Sequence, residues 1–365
     1  MNHKTGLYLI LMMLLGMTTF VGCLPDASRL GPPTTEPSET WVEADLKTLV
    51  LSTLEWNRQF RRLSVERNAA WQVLHGAVAY GKDLELDVDG SAVPALKYLF
   101  DGGSMRGWDL RVGDPLPGTD RRGVRVTVEE GSFTGQGHVD QFLGYLSQAK
   151  VPIDTPLLIH GQVFRLEDWA RQAQRDICQN PYREYSWTLI ALTNYFPNDT
   201  QWVGTDGQTW ALESFVKFEA EQDLSRSACG GMHRLMGLAH AVRYRERLGG
   251  KMDGGWLKAK AVLEDAVTKA KRFQNSDGSF STRHTERPSN SSDLTTCIGA
   301  TGHTLEFLAF TLPAHELKQP WMERAVVRLC KMLQAAENTD LECGGGYHAL
   351  AGLSLYASKR FTQID

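Results

Sequence analysis

Three cysteine–histidine pairs recur in the second half of the chain: Cys229 with His233, Cys297 with His303, and Cys343 with His348. Each pair stands at the start of an apolar segment that contains several glycines. Histidine titrates near neutral pH and often binds metals, so three equivalent histidines could serve proton transfer or metal binding at one site. The alternative is structural, because small glycine and cysteine residues permit close packing and a buried histidine can bond a neighbouring loop.

Two charged residues accompany these histidines. Arg234 follows His233 directly and Glu306 lies one helical turn after His303, so they could supply an acid and a base or form a buried ion pair. The candidate catalytic residues are therefore His233, His303, Glu306 and His348. The candidate ligand-binding residues are His75, His138, Arg234 and Tyr347. His160 and His240 are further cavity candidates, whereas His284 and His315 stand in polar loops and are expected to play no part.

Two kinds of helical segment alternate from Trp41 onward. Segments such as 256–273 repeat apolar residues every three or four positions, which predicts amphipathic helices with one buried and one solvent-exposed face. Segments such as 230–242, 298–312 and 344–356 are apolar almost all round, which predicts buried helices. About six of each kind predict an all-α fold, an (α/α)6 toroid with an inner ring around a histidine-lined cavity. An open stack of helical hairpins is the alternative.

Residues 101–131 do not fit the helical pattern. They are rich in Gly, Asp and Arg, and the run 124–128 alternates valine with polar residues. Such alternation is typical of a short strand, so we expect a small irregular or β insertion at one rim of the toroid.

The first 40 residues indicate the cellular compartment. Residues 1–22 have the layout of a signal peptide, and the apolar run 7–21 is shorter than the roughly 20 residues that span a bilayer. Phe20-Val21-Gly22-Cys23 resembles the lipobox of bacterial lipoproteins, which implies a lipid on Cys23; ordinary cleavage with an incidental cysteine is the alternative. Residues 23–40 are rich in Pro, Ser and Thr, as expected of an extended tether. We therefore predict a lipid-anchored protein of the cell envelope, outside the cytoplasm, with residues 41–365 as the toroid domain.

Composition limits the possible partners. The net charge is -4, with 39 basic and 43 acidic residues, so the chain lacks the basic excess that nucleic-acid binding requires. Of six cysteines, five remain after Cys23, so at least one is free, metal-bound or paired outside the chain. We expect a monomer that meets a membrane through its lipid and binds a small molecule.

The segment 274–280, Gln-Asn-Ser-Asp-Gly-Ser-Phe, resembles the Gln-x-x-Asp-Gly-x-Trp repeat of squalene cyclases and related prenyltransferase and squalene-oxidase repeats. Phe280 stands at the tryptophan position. In such a repeat the glutamine satisfies groups at a helix end, Asp-Gly makes a turn and the aromatic residue fills the next hairpin. The resemblance is clearest over 229–356, and it implies the α/α toroid of terpenoid cyclases and protein prenyltransferases.

The resemblance implies less about chemistry. Cyclases protonate their substrate from an Asp-x-Asp-Asp motif, and the nearest segment here, 292–296, has one acid. Protein prenyltransferases hold zinc with an Asp-x-Cys pair and a later histidine, which implies Asp293, Cys297 and His348 as zinc ligands, although the first spacing is longer here. The segment 302–306 also resembles the Gly-His-x-x-Glu segment of sugar epimerases, in which the histidine and the glutamate transfer protons.

Three functions are therefore open at the level of sequence. The first is a toroid that binds a ligand in its cavity. The second is an active enzyme on polyprenyl or carbohydrate substrates, with zinc as a possible cofactor. The third is a structural envelope protein. The positions of His233, His303 and His348 discriminate among them, because a shared site requires side chains within about 8 Å of one another.

Overall fold

The computed structural model describes residues 41–181, 183–198 and 200–361. The predicted signal peptide 1–22, the lipidation site Cys23 and the tether 23–40 lie outside these described residues. Within them the chain forms twelve α-helices and four small β-sheets. The protein is therefore rich in helix, as predicted, but the small sheets correct the all-α prediction.

The odd-numbered helices are the two-faced ones, and each keeps an exposed face. They are α1 (Glu43–Phe60), α3 (Ala95–Phe100), α5 (Leu166–Arg175), α7 (Leu212–Ala220), α9 (Gly254–Arg272) and α11 (Pro320–Ala335). The even-numbered helices are buried over most of their length. They are α2 (Ala70–Tyr80), α4 (Gln141–Gln148), α6 (Ser186–Tyr195), α8 (Met232–Arg247), α10 (Leu294–Thr311) and α12 (Cys343–Arg360). This confirms the predicted alternation of buried and two-faced helices.

The even-numbered helices pack on one another in sequence. Helix α2 contacts α4, α4 contacts α6, α6 contacts α8, α8 contacts α10, α10 contacts α12, and α12 contacts α2. The odd-numbered helices pack on these helices and on one another, as α9 does on α7 and α8, and as α1 does on α11 and α12. Such packing gives each buried helix apolar neighbours on all sides, which explains why these segments lack a polar face.

Glycines set the close approach of α10 to α12. A Cβ on Gly302 would lie 2.6 Å from Ala349 Cα, and a Cβ on Gly352 would lie 2.8 Å from the backbone nitrogen of Glu306. Real Cβ atoms do not make such contacts, so only glycine, which has no side chain, fits at these two positions. The two helix backbones therefore touch beside His303, Glu306 and His348.

The sheets are short and lie in connections between helices. The first sheet joins β1 (Leu63–Ser64), β2 (Glu85–Val88) and β3 (Ser91–Pro94), with β1 parallel to β2. Antiparallel hairpins are formed by β4 (Leu110–Pro115) with β5 (Arg122–Val126), β6 (Pro156–Ile159) with β7 (Gln162–Arg165), and β8 (Gln201–Val203) with β9 (Thr209–Ala211). The β4–β5 hairpin confirms the β insertion predicted within 101–131.

Three hairpins form a repeated unit that the sequence analysis missed. Strands β2–β3, β6–β7 and β8–β9 each lead directly into the next odd-numbered helix, α3, α5 or α7. The turns Asp89-Gly90 and His160-Gly161 have positive φ at both residues, as two-residue hairpins of type I′ require. His160 is therefore an exposed turn residue, and its assignment as a cavity candidate is wrong.

The Gln274–Phe280 segment has the structural role expected of it. The side-chain amide of Gln274 donates to the carbonyls of Gly278 (2.9 Å) and Trp321 (2.8 Å). Gly278 has φ +91°, which suits a turn residue without a side chain. Phe280 is 1% exposed and lies edge-on to Trp321. The motif thus ties the end of α9 to the start of α11.

None of the helices in the described ranges is both long enough and apolar enough to cross a membrane.

Candidate functional site

Six ring side chains, one from each even-numbered helix, form a closed loop: His75, Tyr145, Trp187, His233, His303 and His348. In this order, returning to His75, neighbouring ring centroids are 4.6, 4.6, 4.9, 6.1, 3.8 and 5.3 Å apart. We call this set the ring cluster. Tyr145 and His348 approach to 6.3 Å across the loop, and all six side chains are buried. The ring cluster therefore fills the space between the helices instead of lining an open cavity there.

The three repeated histidines meet the distance expected of a shared site. His303 lies between His233 and His348, with ring centroids 6.1 and 3.8 Å away. The prediction that these histidines converge is thus confirmed in space, whereas their chemical role stays a prediction.

His75 is held as a neutral imidazole. Its Nδ1 donates to the Trp71 carbonyl at 2.7 Å, and its Nε2 accepts from the Tyr145 hydroxyl at 2.7 Å. Burial, reinforced by the neighbouring His348, lowers the pKa of His75 well below its ordinary value. Burial also raises the pKa of Tyr145 well above the ordinary range, so the phenol stays protonated as a donor. This part of the ring cluster is a fixed hydrogen-bonded support.

Glu306 and His348 form a buried pair between α10 and α12. The Nδ1 of His348 lies 2.7 Å from Oε2 of Glu306, and both side chains are less than 10% exposed. His303 stacks on His348 with 30° between the ring planes. Burial and the charge of His348 keep the pKa of His303 well below its ordinary value, so His303 is neutral at pH 7.

A second cluster lies on the accessible side of the ring cluster. Glu184, in the loop before α6, is shared by two histidines: Oε2 lies 3.0 Å from Nδ1 of His138 and Oε1 lies 3.5 Å from Nδ1 of His233. The side chains of His138 and Glu184 are 29% and 15% exposed, so this cluster reaches solvent. We call His138, Glu184 and His233 the rim trio.

The rim trio has strongly perturbed electrostatics. Burial raises the pKa of Glu184, but the hydrogen bond of His138 and the charges of His138 and His233 outweigh this effect and hold that pKa well below the ordinary range. Burial lowers the pKa of His233, but Cys229 and Glu184 together raise it to about 10. Negative groups thus surround the imidazole of His233 and favour a positive charge there.

Cys229 lies next to the rim trio in an unusual backbone conformation. It is exposed and has φ +49°, and Gly230 and Gly231 after it also have positive φ. Desolvation of the sulfur raises the pKa of Cys229 and His233 lowers it by more, so the net effect is a lowered pKa. The three left-handed residues reverse the chain just before α8 and bring the thiol back toward His233.

His284 belongs to the site, contrary to the expectation that it plays no part. Its ring packs on Gly230, where a Cβ would lie 2.3 Å from His284 Cδ2, and its centroid is 6.3 Å from His303. Burial and the charge of His233 lower the pKa of His284 to about 4. His284 and Gly230 form one wall of a cavity of about 430 Å³ between loops 222–230 and 282–286.

Arg234 and Tyr347, predicted to bind ligand, are placed otherwise. The guanidinium of Arg234 contacts Glu219 at 2.6 Å and Ser227 at 2.8 Å, and Glu219 accepts from the backbone N–H of Tyr185. Arg234 therefore anchors the segment that carries Glu184. The Tyr347 hydroxyl donates to the Arg61 carbonyl, and the ring lines a different cavity, of about 510 Å³, beside α1.

The structure does not bring Asp293 and Cys297 together with His348, which corrects the predicted zinc site. The Asp293 carboxylate caps α10 by accepting from the N–H groups of Thr295 and Thr296. The Cys297 thiol donates to the Ser291 carbonyl. Among the described residues, groups of three side chains whose ligand atoms lie within 4.8 Å of one another are the rim trio and the set His303, Glu306 and His348.

The other histidines lie apart from the site. His240, about two helical turns after His233 in the middle of α8, stacks on Phe310 at 4.0 Å and contacts Asn194. His315 is exposed beside Glu316. The residues that the sequence analysis missed are Glu184, Tyr145 and Trp187, because no repeat or spacing connects them to the histidines.

Comparison of the chain with protein-family models, with curated proteins and with solved structures gives no match to any of them.

Proposed function

We propose that the chain is a lipid-anchored, extracytoplasmic protein whose even-numbered helices form the inner ring of an (α/α)6 toroid. The signal-like residues 1–22 and the lipobox-like Cys23 support the location. The successive contacts from α2 to α12, and back from α12 to α2, support a ring over an open stack. In an open stack the first and last helices would not touch.

The toroid binds a small polar ligand of the carbohydrate class at its rim. The observation that carries this proposal is the charged, partly accessible rim trio on the open side of an otherwise closed ring cluster. The cavity of about 430 Å³ beside His284 and Gly230 is lined largely by polar and charged groups, including Asp223, Lys269, Arg283 and Glu286. A polyprenyl chain needs a long apolar channel, so this lining favours hydroxyl-rich ligands.

A structural envelope protein is the second candidate. It is favoured by the ring cluster itself, whose six buried side chains pack against one another between the even-numbered helices. The two candidates differ in one respect that can be measured: the first requires a ligand at the rim, and the second requires none.

Full-length protein in detergent, tested with neutral, amino and acidic mono- and disaccharides, distinguishes them. We expect at least one saccharide to raise the thermal midpoint and to bind in calorimetry. His284→Asn should abolish the effect, since asparagine tolerates the left-handed backbone but cannot replace the imidazole wall. His315→Asn, an exposed control, should retain it.

Two other outcomes contradict the carbohydrate proposal. A shift with farnesyl phosphate and with no saccharide would assign the site to polyprenyl ligands. No shift with either class, in protein that unfolds cooperatively, would favour the structural role.

A further inference from the structure

We propose that the rim trio, His138, Glu184 and His233, is a binding site for a divalent transition metal of the Zn²⁺ class. Two imidazoles and one carboxylate are a ligand set that zinc accepts, with a position left open for water or a ligand oxygen. Nitrogen ligands favour Zn²⁺, Co²⁺ or Ni²⁺ over Mg²⁺ and Ca²⁺, which prefer oxygen. The site stands on its own geometry and does not require the carbohydrate proposal.

The spacing of the ligand atoms is the first observation. A tetrahedral ion with bonds of about 2.0–2.2 Å holds its ligand atoms about 3.3–3.6 Å apart. The Glu184 oxygens lie 3.0 Å from His138 Nδ1 and 3.5 Å from His233 Nδ1, and all three ligand atoms lie within 4.8 Å of one another. Metal binding therefore needs only a small inward movement of the partly exposed His138.

The orientation of the rings is the second observation, and it separates the two possible groups. The His138 and His233 rings are perpendicular, at 89°, with centroids 4.9 Å apart. In-plane lone pairs of perpendicular rings can converge on one ion. The His303 and His348 rings are stacked, with 30° between them and 3.8 Å between centroids. Their lone pairs run side by side, so one ion cannot accept both without a large ring rotation.

An unsatisfied nitrogen is the third observation. His233 is 6% exposed, and its Nδ1 faces Oε1 of Glu184 at 3.5 Å without a well-formed hydrogen bond in the described part of the chain. A buried polar atom without a partner is costly, so such atoms usually mark a missing water, ion or ligand. A metal ion between Nδ1 and the carboxylate would displace the proton that the neighbouring negative groups favour on His233, and it would satisfy both ligand atoms.

Outer contacts hold Glu184 in place and bring His233 close to it. The side-chain amide of Asn180 donates to the Glu184 carbonyl at 2.8 Å, and the Ser186 hydroxyl contacts Oε1 of Glu184 at 3.3 Å. A Cβ on Gly237 would lie 2.8 Å from Ser186 Cα, so a glycine is needed for α8 to carry His233 this close to the Glu184 loop. Such second contacts fix ligand geometry and tune metal affinity.

Titration of chelator-stripped, full-length protein in detergent tests the inference. We expect one Zn²⁺ per chain by calorimetry and elemental analysis, and Co²⁺ should give the intense visible absorption of a tetrahedral site. His138→Ala and the isosteric Glu184→Gln should each weaken Zn²⁺ binding about 100-fold or more, since loss of an outer contact alone costs about 10- to 100-fold. His315→Ala is the matched control, and metal-free thermal midpoints confirm that each variant folds.

Three results would overturn the inference. One is wild-type protein that binds no Zn²⁺ at micromolar concentration. Another is binding that survives both His138→Ala and Glu184→Gln. The last is binding lost in His348→Ala but kept in His138→Ala, which would place the ion at the buried group. Failure of the saccharide test with Zn²⁺ binding intact would reject the ligand proposal alone, and the reverse outcome would reject the metal site alone.

Discussion

Gly302→Ala tests whether backbone contact between α10 and α12 sets the geometry beside the ring cluster. The new Cβ would meet three backbone or Cβ atoms of Ala349 at 2.6–2.7 Å. Reaching an ordinary contact of about 3.4 Å or more requires the helices to separate by about 0.7 Å, and such overpacking costs about 1–3 kcal/mol. Alanine recovers up to about 1 kcal/mol of helix propensity. Because the clash is with backbone atoms, which cannot move aside, we expect an overpacking cost of about 3 kcal/mol. The net loss in the free energy of unfolding is then about 2 kcal/mol.

Gly299→Ala is the matched control on the same helix. Its Cβ would lie 3.6 Å from Gly345 Cα, an ordinary contact, so only the gain of up to about 1 kcal/mol in helix propensity applies. The free energies of unfolding of the two variants should therefore differ by about 3 kcal/mol. Urea unfolding followed by circular dichroism measures both on one scale. Equal stability of Gly302→Ala and Gly299→Ala would refute the close-contact argument.

Three further changes address buried polar groups. Burial lowers the pKa of His240 to about 3, so the stabilisation by its neutral form is complete above the unfolded pKa of about 6.5 and is lost as pH falls toward 3. The wild-type protein should therefore lose about 2–3 kcal/mol of unfolding free energy between pH 6.5 and 4.5 through His240, and His240→Leu should not show this part of the loss. Urea titrations with the same pH dependence for the variant and the wild type would contradict this. Glu306→Leu should cost about 3–5 kcal/mol, and adding His348→Leu should restore part of it; a larger loss in the double variant would argue against the pair. Arg234→Leu should destabilise the fold by a similar amount, because it leaves the fully buried Glu219 without its ion-pair partner. An unchanged unfolding midpoint would show that this ion pair does not stabilise the fold.

The helical part of the fold could be predicted because burial and periodicity are local signals. Helix α10 is apolar all round in the sequence and buried on all sides in the structure, whereas α9 shows one apolar stripe and keeps one wet face. A helix that is packed on all sides by other helices has no polar face, so its all-round apolar composition indicates that it is buried. The arrangement of the helices needed the structure, because spacing alone does not say whether the last helix meets the first.

The hairpins before α3, α5 and α7 were missed although their turns have a sequence signal. Asp89-Gly90 is a favoured type I′ pair, and Asp206-Gly207 marks the third turn. The strands are three or four residues long, too short for alternation to be recognised beside helices of up to 19 residues. His160-Gly161 shows the consequence, because a histidine that occupies a turn resembles a functional one when the turn is not recognised.

The site was predicted in part for a similar reason. His233, His303 and His348 repeat at the start of three helices, so a comparison of segments finds them. Glu184 lies in a connection without periodicity, and only the packing of α6 against α8 brings it to His233. Carboxylate partners of histidines are set by such long-range contacts, which a single sequence does not contain.

Backbone strain favours a functional over a purely structural role for the rim. Seven non-glycine residues of the described chain have positive φ, and four of them flank the site: Asp140, Arg183, Cys229 and His284. Asp89 and His160 among the others simply make hairpin turns. Left-handed backbone at a non-glycine residue costs about 1–3 kcal/mol and persists where the surroundings require it. A protein that served only as a spacer would gain nothing from strain gathered at one rim, whereas a site that must hold His138, Glu184 and His233 around a ligand gains fixed positions for all three.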